Sequence, residues 1–137
     1  MTYFGFLGVF LVIPIGLLLL LARIDARRGR MLPSALRTWP AWIMIVVHVV
    51  IAVVYTTPWD NYLVATRVWW YDPNLVTGLI IGYVPIEEYT FFVLQPILTG
   101  LWLLFLARHL PVNVKLPLNS VRVRRWAVAG AVAVWLA

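Results

Sequence analysis

Glu87 and Glu88 stand side by side in the run Gly82-Tyr83-Val84-Pro85-Ile86-Glu87-Glu88-Tyr89, flanked by apolar residues. An ionisable side chain inside a membrane segment is costly and is a functional hypothesis by default. The plainer alternative is that both are interfacial residues complementing the positive end of a helix. Neighbouring helical residues point about 100° apart, so one glutamate can face a pocket while the other orients it or holds a nearby loop. Burial and mutual repulsion favour a protonated carboxyl, and the helix N-terminus favours an ionised one. Where burial wins, one member keeps its proton near neutral pH, as a general acid requires. Phe91 and Phe92 follow on the same helical faces, and Gln95 continues the face of Glu88. Aromatic rings beside an acid can stabilise a passing carbocation through their negative faces. Each ring taken singly is read equally well as helix or lipid packing.

A second cluster is Pro58-Trp59-Asp60-Asn61. Proline is expected to end a helix here, and Asp60 and Asn61 suit a cap or turn. For Asp60 to do chemistry it must meet Glu87 or Glu88 in space. His48 is a lone histidine in the middle of an apolar run, best read as neutral and hydrogen-bonded to a neighbouring helix. The other histidine, His109, lies in a basic link, so no metal-ligand spacing is present and no metal is expected. There is no dinucleotide fingerprint and no cysteine, and no cofactor is implied.

These residues must be positioned by an unusually apolar chain. Of 137 residues 64% are hydrophobic and 12% are charged, about half the charged share of a soluble domain. Such a chain has too little polar surface for a water-facing shell; lipid is its solvent. The excess of bases, net +6, clusters in links between apolar runs. That pattern sets membrane orientation rather than nucleic-acid binding.

Tyr3 to Ala22 carries no charge and reaches about 30 Å as a helix, the thickness of the hydrocarbon core. It is too long for a signal-peptide core and has no cleavage site, and Pro14 is expected to kink it. Trp39 to Thr57 is the second span, closed by Pro58. Leu75 to Ala107 is apolar but about 50 Å long as a single helix, too much for one crossing. Pro85 divides it. A short half-helix is expected over Asn74 to Val84, with Gly78 and Gly82 allowing close approach. The full third span is expected over Pro85 to Ala107, with Pro85 in the first turn.

The expected architecture is therefore an all-α, multi-pass membrane protein: three complete spans, a half-helix and the start of a fourth span at Trp126. Residues 1–110 form the three-helix unit, and 111–137 a basic link and a span that stops early, as in a truncated chain. The basic links 23–37 and 108–125 hold all Lys/Arg except Arg67 and are expected on the cytoplasmic side of the cell membrane. The acids Asp60, Asp72, Glu87 and Glu88 and all the tyrosines then lie at or near the outer side.

Thr57-Pro58-Trp59-Asp60-Asn61-Tyr62 and Pro85-Ile86-Glu87-Glu88-Tyr89-Thr90-Phe91-Phe92, with Trp69-Trp70-Tyr71 between them, resemble the lycopene cyclase domain of the heterodimeric, membrane-embedded type. The likeness covers roughly residues 1–110. It implies proton-initiated closure of the ψ ends of lycopene into β-ionone rings, through γ-carotene to β-carotene. It further implies Glu88 or Glu87 as proton donor, the other glutamate or Asp60 as base or orienter, and Trp59, Asn61, Tyr89, Phe91, Phe92 and Gln95 at the substrate. Members of the family act as two similar halves. One copy of each motif stands here, so the resemblance implies a second homologous subunit or repeat as partner, beside the polyene and the bilayer.

Other readings fare worse. A glutamate-type intramembrane protease wants an arginine four residues after the second glutamate, where Phe92 stands. A prenyltransferase needs paired aspartate clusters for magnesium diphosphate, and Asp60 and Asp72 stand apart. A non-catalytic membrane scaffold or transport subunit, with Glu87 and Glu88 binding an ion or partner, is the remaining alternative.

Overall fold

The computed structural model describes residues 1–110 and 125–129. Three helices are long and apolar enough to cross a membrane: α1 (Tyr3–Arg27), α2 (Ala41–Ala65) and α3 (Ile86–His109). At most 17% of the most apolar window of any of them is buried inside the protein. The remaining apolar surface belongs to lipid, and the chain is an integral membrane protein of mainly helical class. The expected fourth span lies largely outside the described residues; 125–129 is helical.

Each helix runs past its expected C-terminal end, to Arg27, Ala65 and His109. Pro14 does not break α1, because residues Gly8–Val12 just before it form a π-helical turn. That turn shifts the hydrogen-bond register and absorbs the donor that proline lacks. Pro58 does not close α2. It lies inside a helix that continues to Ala65, so Asp60 and Asn61 are helical residues and not turn residues. The hydroxyls of Thr56, Thr90 and Thr99 donate to the carbonyls of Ala52, Ile86 and Gln95 within their own helices, which satisfies them without an external partner. Pro85 is the N-cap residue of α3 rather than part of its first turn.

The expected half-helix over Asn74 to Val84 is absent. The chain there is a strap of turns ending in a two-stranded antiparallel hairpin, β1 (Ile80–Ile81) with β2 (Val84–Pro85). Gly78 and Gly82 have φ of +82° and +69°, values that open the turns and are incompatible with a right-handed helix.

Helix α3 lies in the middle, packed against both α1 and α2. At the end away from the strap, the buried Asp25 of α1 sits 3.5 Å from the ring of His109 on α3 and 3.8 Å from the guanidinium of Arg30. The α2–α3 contact closes around Gly100, where an added Cβ would lie 2.8 Å from Cγ1 of Ile45. Gly100→Leu is therefore expected to wedge the helices apart at a cost of about 1–3 kcal/mol. It should show as an earlier unfolding midpoint in mixed-micelle denaturation.

Candidate active site

The N-terminal end of α3 carries Glu87 and Glu88 in its first turn, directly after the hairpin. Glu87 is fully buried. Its Oε1 accepts the backbone N–H of Thr77 at 2.6 Å, and its Oε2 is buried with no hydrogen-bond partner among the described residues. This glutamate faces the strap. It is fully enclosed, with 0% of its surface exposed, against 7% each for Glu88 and Asp60.

Glu88 turns the other way. Its Oε2 accepts from the hydroxyl of Tyr3 at the start of α1. On α2, the Oδ2 of Asp60 accepts from the hydroxyl of Tyr71 at 2.9 Å. Asp60 and Glu88 are close enough for their charges to interact. The structure thus brings Asp60 and Glu88 together, one from each of two helices, capped by two phenols. The only ion pairs among the described residues are those of Asp25 at the far end; no cation partners the acids here.

The strap is fastened by several further bonds. Leu75 O accepts from the N–H of Tyr3 at 2.8 Å, and Leu79 O from the N–H of Ile86 at 2.8 Å. Asn61 is the central fastener. Its Oδ1 accepts the N–H of Tyr83 at 2.8 Å, and its Nδ2 donates to Thr57 O and to the Tyr89 hydroxyl. Tyr89 in turn donates to Ile81 O at 3.0 Å. Asn61 and Tyr89 therefore hold the hairpin.

Phe92 is buried one turn beyond Glu88, with Tyr89 and Phe91 packed edge-on at 5.8 Å and 6.5 Å. Gln95 is not among the acids. It donates to Thr99 and lines a trough of about 490 Å³ between α2 and α3 that also includes Ile45, His48, Ile51 and Pro96. His48 bonds its own helix, at Met44 O, rather than a neighbour. Trp59 is 59% exposed and stacks on Tyr62, away from the acid pair. Sequence reasoning missed Tyr3, Tyr71 and the backbone of Thr77. The available signal was the crowding of tyrosines on the side that holds acids but almost no bases.

Fold and site together define a small membrane protein with a buried, phenol-capped carboxyl pair at one end of a three-helix unit. Its sequence is similar to those of lycopene cyclases, as its motifs suggested. It is 47% identical over 83 residues to the lycopene beta-cyclase of Halobacterium salinarum, covering 61% of this chain and 32% of that protein. It is 44% identical over 87 residues to the bifunctional lycopene cyclase/phytoene synthase of Sporisorium reilianum, covering 64% of this chain and 13% of that protein. The enzyme of the same name from Blakeslea trispora is 54% identical over 41 residues, 30% of this chain and 7% of that protein. The chain thus spans about a third, or less, of the length of the curated relatives it matches. No protein-family model matches it, and no solved structure does.

Two outcomes follow from this geometry. At Gly82 the backbone has φ +69° and an added Cβ would lie 2.3 Å from Asn61 Oδ1. Gly82→Ala should therefore release the hairpin, seen as faster amide exchange over residues 66–85 while the spans stay protected. Burial, followed by the bond to Asp60, pushes the Tyr71 phenol well above its ordinary value of 10.0. The folded state thus keeps the proton longer than the unfolded chain. Stability is unaffected below the ordinary tyrosine range and falls as pH rises above it. Tyr71→Phe should remove part of that alkaline loss in thermal unfolding.

Proposed function

We propose that this chain carries the acid site of a membrane-embedded lycopene β-cyclase, an isomerase of carotenoid biosynthesis. The reaction closes ψ end groups of lycopene into β-ionone rings, giving γ-carotene and then β-carotene without net redox change. The observation that supports this most strongly is the Asp60–Glu88 pair, buried at the end of an apolar bundle and partnered by phenols instead of cations. The names of the relatives supply the substrate class.

In this reading Glu88 gives its proton to the terminal double bond. The next double bond attacks the resulting cation and the ring closes. Asp60 then takes a ring proton, and the C–H electrons form the ring double bond. Two carboxyls in different environments can divide acid and base roles in this way. Phe92, with Tyr89 and Phe91 against it, lies one turn from Glu88 and offers aromatic faces to the cation. The polyene follows the trough between α2 and α3, where Gln95 sits roughly 10 Å along the helix from Glu88. Glu87 and Asn61 hold the strap over the acids, and Trp59 stays outside the site.

In this reading the active unit includes a second, homologous subunit or repeat. The links 23–37 and 108–125 face the cytoplasm, and the acid pair lies near the outer lipid surface of the cell membrane.

Expression with the complementary unit in lycopene-accumulating cells, followed by pigment analysis, tests the reading. Monocyclic and bicyclic carotenes are expected. Glu88→Gln should lower ring formation by about 10²-fold or more, the range of a lost general acid. Glu87→Gln should retain most of it, because its amide oxygen still accepts from Thr77. Lycopene left untouched by the unsubstituted pair overturns the proposal. Rings formed undiminished by both variants favour the scaffold or transport alternative.

A further inference from the structure

We infer that Tyr3 is a positioning residue for proton donation: its hydroxyl closes one oxygen of Glu88 and thereby fixes the acidic proton on the other, Oε1. This rests on the assignment of Glu88 as donor made above. A carboxyl group has two oxygens, and a proton held on the wrong one does not reach a substrate. Burial alone does not choose between them. Hydrogen bonding does, because a protonated carboxyl has one O–H and one oxygen that only accepts.

The bonds at Glu88 make that choice. The Tyr3 hydroxyl donates to Oε2, so Oε2 is the accepting oxygen. Oε1 has no hydrogen-bond partner among the described residues. It is also not one of their enclosed, partnerless oxygens, which are Asp25 Oδ2, Thr57 Oγ1 and Glu87 Oε2. The open part of Glu88, a residue 7% exposed, therefore includes Oε1. Asp60 repeats the arrangement: Tyr71 closes Oδ2, and Oδ1 is neither bonded nor enclosed among the described residues. Each acid thus has one oxygen held by a phenol and one free to meet a ligand.

The bond from Tyr3 also strengthens as the proton leaves. Oε1 gives its proton to the terminal double bond, whose π electrons form the new C–H bond. The O–H electron pair stays on Glu88, which becomes a carboxylate, and Tyr3 keeps its own proton throughout. The phenol then donates to an ionised acceptor, and such bonds are roughly twice as strong as neutral ones. An interaction that grows along the reaction lowers the barrier instead of tightening binding. Tyr3 opens α1, where a helix ordinarily frays, yet it is held without its hydroxyl. Its N–H donates to Leu75 O at 2.8 Å, Thr2 Oγ1 accepts the N–H of Gly5 at 3.2 Å, and its ring lies 6.2 Å from that of Phe6. The hydroxyl is left to act on Glu88.

Two measurements on the full chain test this role. In lipid vesicles at neutral pH, the protonated C=O stretching band of Glu88 is assigned by its loss in Glu88→Gln, and the carboxylate bands of Asp60 by their loss in Asp60→Asn. Tyr3→Phe is expected to move the Glu88 band to higher frequency, since its C=O loses a donor. The Asp60 bands are expected to stay in place and report an intact site. An unmoved Glu88 band, a shift of both residues' bands, or no protonated band lost in Glu88→Gln overturns the inference, whatever the substrate proves to be. With the complementary unit and lycopene, Tyr3→Phe is expected to lower kcat about ten-fold, the difference between a neutral and a charge-assisted bond, with KM unchanged. Unchanged kcat, or a loss confined to KM, with Glu88→Gln inactive, overturns the role of Tyr3 and leaves the cyclase reading standing. Ring formation untouched in Glu88→Gln overturns the reading on which that role rests.

Discussion

Carboxyl groups that leave water for a bundle of lipid-facing helices must find hydrogen-bond donors in the protein. In this chain those donors are phenols and backbone amides, since no cation partners the acids among the described residues. Much of this end of the structure answers that need. The strap bends so that the N–H of Thr77 meets Glu87, and the loop just before it brings the hydroxyl of Tyr71 to Asp60. The first residues of α1 dock so that Tyr3 meets Glu88 through its hydroxyl and Leu75 through its N–H. A cation in place of a phenol would hold each carboxyl as an ionised partner. A neutral donor leaves the proton free to be carried by either member of the pair.

The two adjacent glutamates illustrate how helical geometry divides labour. Their side chains leave α3 about 100° apart. One is buried under the strap and tied to it; the other turns toward α2 and α1. The same residue type, one position apart, is thereby a fastener in one case and a candidate acid in the other. Asn61 plays the corresponding part on α2. It lies beside Asp60 in sequence, but its amide spans Thr57, Tyr83 and Tyr89 and so ties the hairpin to two helices at once. Acid and fastener stand in adjacent positions on both helices, which couples the pose of the acid pair to the closure of the strap.

The rest of the bundle keeps this end in register. Helix α3 is central, and small Gly100 lets α2 approach it closely. The opposite end is closed by Asp25, shared between Arg30 and His109. Three prolines stand inside the spans, and none ends a helix. A π-helical turn accommodates Pro14, while Pro58 and Pro96 sit in continuous helices. Lipid offers no competing hydrogen bonds to a broken backbone, so a helix is continued through proline more readily than in water.

Composition and hydropathy alone determined the membrane class, the number of complete spans in residues 1–110 and the residues worth watching. Those properties are local sums: a run of apolar residues about 30 Å long prefers lipid whatever surrounds it, and a lone acid within it stands out. Expectations that relied on local rules for proline and glycine did less well. Pro58 was read as a stop and Asn74–Val84 as a half-helix, because neither rule sees the contacts that override it. Only the tertiary structure decided that the strap is a turn-rich hairpin, that Asp60 meets Glu88, and that Tyr3 and Tyr71 are their partners. The bond between Tyr3 and Glu88 joins positions 85 residues apart, and a hydrogen bond between separate helices depends on how they pack. No periodicity within either segment encodes that packing.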